Sequence, residues 1–250
     1  MPSINLIVSI EVLYNKDTTF EALCAWRQGY CEGASLAAID YRLLYLIQDK
    51  VLKIVFDATT EFYLTGGTCL HRFYYNKRYS DDLDFFTNNS DLFRQSLNGI
   101  FEAFLESGVD FVKTVDTKDF ARFTVNEYGQ SLQIDFVNDR VGRVGYPKLE
   151  NGYLIDTIDN ILSNKITAVL GRDEPKDIFD IYTIAVSESI DWGKIIKYAA
   201  TKLSFQKEDL LYRLDIFPKY MLKKLKLIDD CFLDNFDFVY PDIISKIKES

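Results

Sequence analysis

The sequence predicts an α+β fold: an α+β front half of about 150 residues followed by a helical back half. Three observations carry that expectation. Short β-type runs and 3.6-period apolar stretches intermix up to about Val137, and beyond Asp156 the patterning is helical. The composition, 48% hydrophobic and 27% charged over 250 residues, is that of a globular chain able to bury a sizeable core.

Taken in order, residues 1–38 carry mixed signals and receive no assignment. From Tyr41 to Phe56 the apolar residues Leu43, Leu44, Leu46, Ile47, Val51, Leu52, Ile54 and Val55 suit a helix packed against a core. Glu61–Leu64 reads as a short strand that ends at the pair Gly66-Gly67. Thr68–Tyr75 follows as a helix through Leu70, Phe73 and Tyr74, and Leu83–Thr87 as a second strand. Asp91–Ser107 is amphipathic and helical. Phe120–Val125 and Leu132–Val137 form two strands joined by a turn through NEYGQ. Asp156-Thr157 is placed to cap a helix to about Leu170, GRDEP turns the chain, and Lys176–Val186 is again helical. The last 60 residues are helical in pattern, with Pro218 and Pro241 as punctuation. Two parts are expected, 1–150 with an N-terminal extension and 151–250, meeting near Tyr146-Pro147.

Composition narrows the function classes. No stretch approaches the roughly 20 apolar residues of a membrane span. The run INLIVSIEVLY is too short, carries Glu11 and lacks a basic start and cleavage site, so a cytoplasmic protein is expected. Cys24, Cys31, Cys69 and Cys231 show no CxxC spacing, and His71 is the single histidine. They therefore read as reduced, structural cysteines rather than a zinc site. The net charge of −9 argues against a broad nucleic-acid-coating surface but leaves room for a local basic groove. Basic residues bunch at Arg72–Arg78, Lys165–Lys176 and Lys219–Lys226, each of which also reads as a solvated helix face.

The chemistry concentrates in FYLTGGTCLHRFYYNKRYSDDLDFF, residues 62–86. On a strand Asp82 and Asp84 share a face while Leu83 and Phe85 take the other, and Asp81 points away from the pair. Two adjacent carboxylates repel unless a cation sits between them, and Mg²⁺ held by carboxylates and substrate phosphates is the usual remedy. Asp135, mid-strand in SLQIDFVND, is the third candidate ligand. The alternative is a polar strand entry with Asp135 merely exposed. Gly66, Gly67 and Thr68 lead a strand into a helix, where free N–H groups suit a phosphate, although a tight turn also explains the glycines. A phosphate cradle beside a metal-binding pair describes nucleotidyl transfer. Lys165 interrupts the apolar stripe of Ile158, Leu162 and Val169, either to snorkel to the edge or to neutralise a triphosphate. Arg172 and Lys176 extend the same positive wall. Asp177 and Asp180 share a helix face, with capping a second explanation for Asp177. His71 reads as a helix-surface residue.

GGTCL…RYSDDLDFF resembles the signature of DNA polymerase β-like nucleotidyltransferases, and GGT-x-L with R-x-S-x-D-L-D-F is similar to the AbiEii branch, toxins of type IV abortive-infection toxin–antitoxin systems related to the MenT toxins. The resemblance runs from about Tyr41 to about Val186. It implies a mixed twisted sheet flanked by helices and completed by the helical half. It also implies a phosphate loop at Gly66, Gly67 and Thr68, metal ligands at Asp82 and Asp84, and triphosphate contacts from Arg78 and Ser80. From KDIFD it implies a functional pair of Lys165 and Asp180. The implied reaction is Mg²⁺-dependent transfer of an NMP from an NTP to an acceptor hydroxyl. A tRNA 3′ end is the implied acceptor, with a cognate antitoxin as partner and phage defence as the setting. The rival expectations are an antibiotic-type transferase acting on a small molecule, and a non-catalytic relative that binds nucleotide or a partner protein.

Overall fold

Helix α1, Tyr41–Ala58, starts where Asp40 accepts a hydrogen bond from the Arg42 N–H, and it buries Leu44, Ile47, Val51, Leu52 and Val55. These positions belong to a computed structural model that describes residues 39–250. The expectations for residues 1–38, Cys24 and Cys31 lie outside the described residues. The chain continues as β1 (Tyr63–Thr65), α2 (Gly66–Phe73), β2 (Asp82–Thr87), α3 (Phe93–Glu106) and strands β3 (Phe111–Asp116), β4 (Phe120–Glu127) and β5 (Gln130–Asn138). Two three-residue strands follow, β6 (Lys148–Glu150) and β7 (Tyr153–Ile155).

The strands form one mixed sheet in the order β3-β4-β5-β2-β1-β7-β6, with β2 parallel to β5, β1 parallel to β7 and the other neighbours antiparallel. Register between β4 and β5 is set by a two-residue turn in which Tyr128 and Gly129 both have positive φ, the geometry that matches strand twist in a hairpin. The aromatic core lies on the face covered by α1 and α3. There Phe85 stacks on Phe136 at 5.2 Å, and Phe56 of α1 meets Phe85 edge-on at 5.7 Å.

Beyond Ile155 the structure is helical: α4 (Ile158–Gly171), α5 (Pro175–Ser187), α6 (Trp192–Lys202), α7 (Lys207–Asp215), 3₁₀ turns at Lys219–Lys224 and Asp230–Leu233, and α8 (Phe236–Glu249). Thr157 caps α4 as expected, accepting from the Asn160 N–H. Pro241 departs from expectation. It lies inside α8 rather than ending a helix, and removes one N–H from that helix's ladder. Three strands were not expected. In β3 most residues are exposed, and β6 and β7 are three residues each, so neither leaves a burial pattern for the eye to find. Cys69 is buried, but Cys231 is exposed, which corrects its reading as a structural cysteine.

Candidate functional site

On β2 the alternation is regular: Asp82, Asp84 and Phe86 are partly exposed, while Leu83, Phe85 and Thr87 are buried. Strand register builds a row across the sheet. Thr65 of β1 stands opposite Asp84, Asp84 opposite Asp135 of β5, and Asp135 opposite Arg122 of β4. The row is not three equivalent carboxylates. Asp135 receives Arg122 in a bidentate pair, Nε at 2.7 Å and the second nitrogen at 2.8 Å. Asp82 has the Lys176 ammonium at 3.8 Å. Asp84 has no hydrogen-bond donor or ion-pair partner among the described residues. Burial, and then the charges of Asp82 and Asp135, push its pKa up to about 7.

The glycine pair is explained by what lies against it. Gly66 has φ +72°, and a Cβ there would overlap the Asp84 carboxylate. A Cβ on Gly67 would run into the Arg78 guanidinium and crowd the Ser80 hydroxyl. Helix α2 thus begins against the carboxylate row, and its first N–H groups have no side-chain cap. Thr68 departs from the expected phosphate loop. Its side chain is fully buried, its hydroxyl donates to the Asp82 carbonyl, and it does not line the cavity.

Behind the turn lies a buried charge network on α5. Asp180, fully buried, accepts from Arg78 Nε at 2.8 Å and a second Arg78 nitrogen at 2.9 Å. It also receives His71 Nε2 at 2.8 Å and Lys165 Nζ at 2.7 Å. Burial alone would raise its pKa, but Arg78 and Lys165 outweigh it and hold the carboxyl well below the ordinary value. Asp177 accepts from Lys165 at 2.9 Å and from Arg172 at 2.7 Å. Lys165 therefore does not snorkel outward: its ammonium bridges two buried aspartates at the cavity wall. His71 is corrected from surface to core. Its Nδ1 accepts from the Lys77 N–H at 3.4 Å, leaving the proton on Nε2 for Asp180, and burial depresses its pKa.

One cavity of about 660 Å³ collects most of these groups. Gly66, Gly67, Arg78, Ser80, Asp82 and Asp84 line it from the front half of the chain, and Lys165, Arg172, Lys176 and Asp177 from the helical half. Asp135 lines it too, while Asp180 sits one layer behind. Asp81, expected to face elsewhere, lines the rim. For a divalent cation the fit rests on Asp82 and Asp84, two carboxylates on one strand face, of which Asp84 has no cation partner among the described residues and Asp82 has only Lys176 at 3.8 Å. Among the described residues no group of three metal-ligating side chains converges, so Asp135 does not complete the expected triad.

Sequence reasoning missed Arg122 and Lys202. The first was legible: a two-residue turn at Tyr128-Gly129 pairs Arg122 with Asp135. Lys202, the last residue of α6, reaches the cavity by folding back onto α4, and no local pattern announces it. Its ammonium lies 2.5 Å from both Asn160 Oδ1 and Asn164 Oδ1, and burial lowers its pKa to about 8.

The model of the family described as nucleotidyl transferase AbiEii toxin, type IV TA system, matches residues 54–229. No curated protein matches the chain. Among solved structures it is similar to JHP933 from Helicobacter pylori, with 20% identity over 82% of this chain and 93% of that one, and a TM-score of 0.49. It is also similar to MenT4, a nucleotidyltransferase toxin from Mycobacterium tuberculosis, with 16% identity over 64% and 63% of the two chains and a TM-score of 0.47.

Proposed function

The chain belongs to the AbiEii nucleotidyltransferase toxin family of type IV toxin–antitoxin systems, and on that premise we propose that it transfers an NMP from an NTP to the 3′ end of a tRNA. Membership makes it a nucleotidyltransferase and implies an NTP substrate and a cognate antitoxin. The tRNA acceptor, a Mg²⁺ requirement, a cytoplasmic site of action and a role in phage defence are the finer reading. The observation that carries it is the meeting, in one cavity, of the Asp82–Asp84 pair, the uncapped start of α2 and a basic wall.

In this reading the triphosphate lies between the lining residues of the two halves. N–H groups at Gly66 and Gly67 donate to its oxygens, and Lys165, Arg172 and Lys176 offset its charge. Asp177 and Asp180 fix Lys165, while Asp180 and the close fit at Gly67 fix Arg78, so these cations meet the substrate without reorganising. The acceptor oxygen bonds to the α-phosphorus as the bond to the β-phosphate breaks, pyrophosphate leaves, and the hydroxyl proton is released. A divalent cation held by Asp82 and Asp84 would supply charge neutralisation at the α-phosphate and a more acidic acceptor hydroxyl.

The test incubates the protein with Mg²⁺, each α-labelled NTP and total tRNA, beside Asp84→Ala and an EDTA arm. Label should enter RNA at its 3′ end and fall by about 100-fold or more in both controls. Label that persists in Asp84→Ala removes that residue from the mechanism, and label in no RNA removes the tRNA acceptor. The net charge of −9 favours a second reading, a small-molecule acceptor, because RNA partners usually need a basic track. Greater labelling of aminoglycosides than of tRNA would establish it.

A further inference from the structure

We propose that the cavity end bounded by Phe86, Val141, Ile161 and Leu203 seats the nucleobase, and that Lys202 and Asn164 select guanine or cytosine over adenine. The inference rests on the nucleotidyltransferase reading above and adds the part of the substrate that reading leaves open.

The cavity has two unlike ends. Lys176 approaches Asp82, which fixes the Arg172 end of α4 beside the start of β2. At the far end of β2, the Asp139 N–H donates to the Thr87 carbonyl at 2.8 Å. The loop that follows packs on the first turn of α4, where the Val144 N–H donates to Asn160 Oδ1 at 2.9 Å. Phe86 lies two residues beyond Asp84, about 7 Å further along the strand. Ile161 and Arg172 are separated by about 16 Å of helix. The phosphate-binding cations therefore occupy the middle and one end. The other end is walled by one aromatic and three aliphatic side chains, a surface suited to the flat faces of a base.

Two of the polar side chains at that end, Lys202 and Asn164, present donors. Asn160 does not line the cavity and is engaged elsewhere: its Oδ1 accepts from Val144 and Lys202, and its Nδ2 donates to Asp156 at 2.8 Å. Asn164 lines the cavity and turns its Oδ1 to the Lys202 ammonium, which leaves its Nδ2 hydrogens without a partner among the described residues. Two of the three ammonium hydrogens of Lys202 are used by the asparagines, and the third is free among the described residues. Asp139 also lines this end, with one oxygen taken by the Val141 N–H. Two neighbouring donors call for two neighbouring acceptors. Guanine offers O6 and N7, and cytosine offers O2 and N3. Adenine has no such pair: its amino group separates N7 from N1, and C2–H separates N1 from N3.

The experiment measures equilibrium binding of the four α,β-methylene NTPs with Mg²⁺ to the full chain. The guanosine or the cytidine analogue should bind about tenfold or more tighter than the adenosine analogue. Lys202→Met and the isosteric Asn164→Leu, each first shown to be folded by its thermal melt, should each shrink that ratio by about fivefold. Adenosine analogue binding within about threefold of both others, or a ratio that survives both substitutions, overturns the base assignment and leaves the transferase reading intact. Failure of every analogue to bind overturns both.

Discussion

Asp84 carries a charge that folding does not welcome. Its pKa rises from 3.8 to about 7, so the folded chain holds a proton that the unfolded chain releases. The resulting stability is fully present below pH 3.8 and is lost as pH rises through 7. In EDTA at pH 8, Asp84→Asn should therefore stabilise the protein by about 2 kcal/mol, the shift being discounted for partial exposure, and raise Tm by about 4–8 °C. The gain should vanish towards pH 4 while transfer is abolished. A lower Tm at pH 8 would mean that a cation already pairs with Asp84. Gly66→Ala tests the same contact from the other side. Its Cβ must displace the carboxylate from a positive-φ position, so activity should fall by about 100-fold or more at a stability cost of about 1–2 kcal/mol. Wild-type turnover would show that the close approach is incidental.

At the scale of elements, α5 holds the site together through Asp180. Removing that carboxylate leaves Arg78 and Lys165 buried beside one fewer counter-charge, so Asp180→Ala should cost about 3–5 kcal/mol in denaturant unfolding. A loss under about 1 kcal/mol would place the network in solvent contact. The sign with pH is opposite to that of Asp84. The stability Asp180 contributes is present above pH 3.8 and is lost as pH falls through its depressed folded value. The same network marks what could be read in advance. The Lys165–Asp180 pairing and the shared face of Asp82 and Asp84 follow from motif and alternation. The burial of His71 does not, because a histidine on a short helix looks the same in sequence whether the next element covers it or leaves it bare. Thr68 misled for a related reason, since a hydroxyl in the right motif was spent on a strand carbonyl.

Across the whole molecule, strand β2 supplies the Asp82–Asp84 pair and the helical half supplies Lys165, Arg172 and Lys176. Strand β7 falls beyond the expected junction near Tyr146-Pro147 and pairs in parallel with β1 directly before α4. Asp156 then ties the halves: it accepts from Thr65 at 2.6 Å, Arg143 at 2.6 Å and Asn160 at 2.8 Å. A chain ending at residue 157 should therefore lose NTP binding entirely, and adding residues 158–250 as a separate polypeptide should restore it only where the two co-purify. NTP binding by the 1–157 chain alone would contradict the two-sided site. The most direct measurement is a crystal structure with Mn²⁺ and a non-hydrolysable NTP, using the anomalous signal to locate the metal. The account expects the ion bound by both Asp82 and Asp84, with phosphates running from Gly66-Gly67 past Lys165 towards Arg172. A triphosphate seated outside this cavity, or an ion that touches neither aspartate, would contradict it.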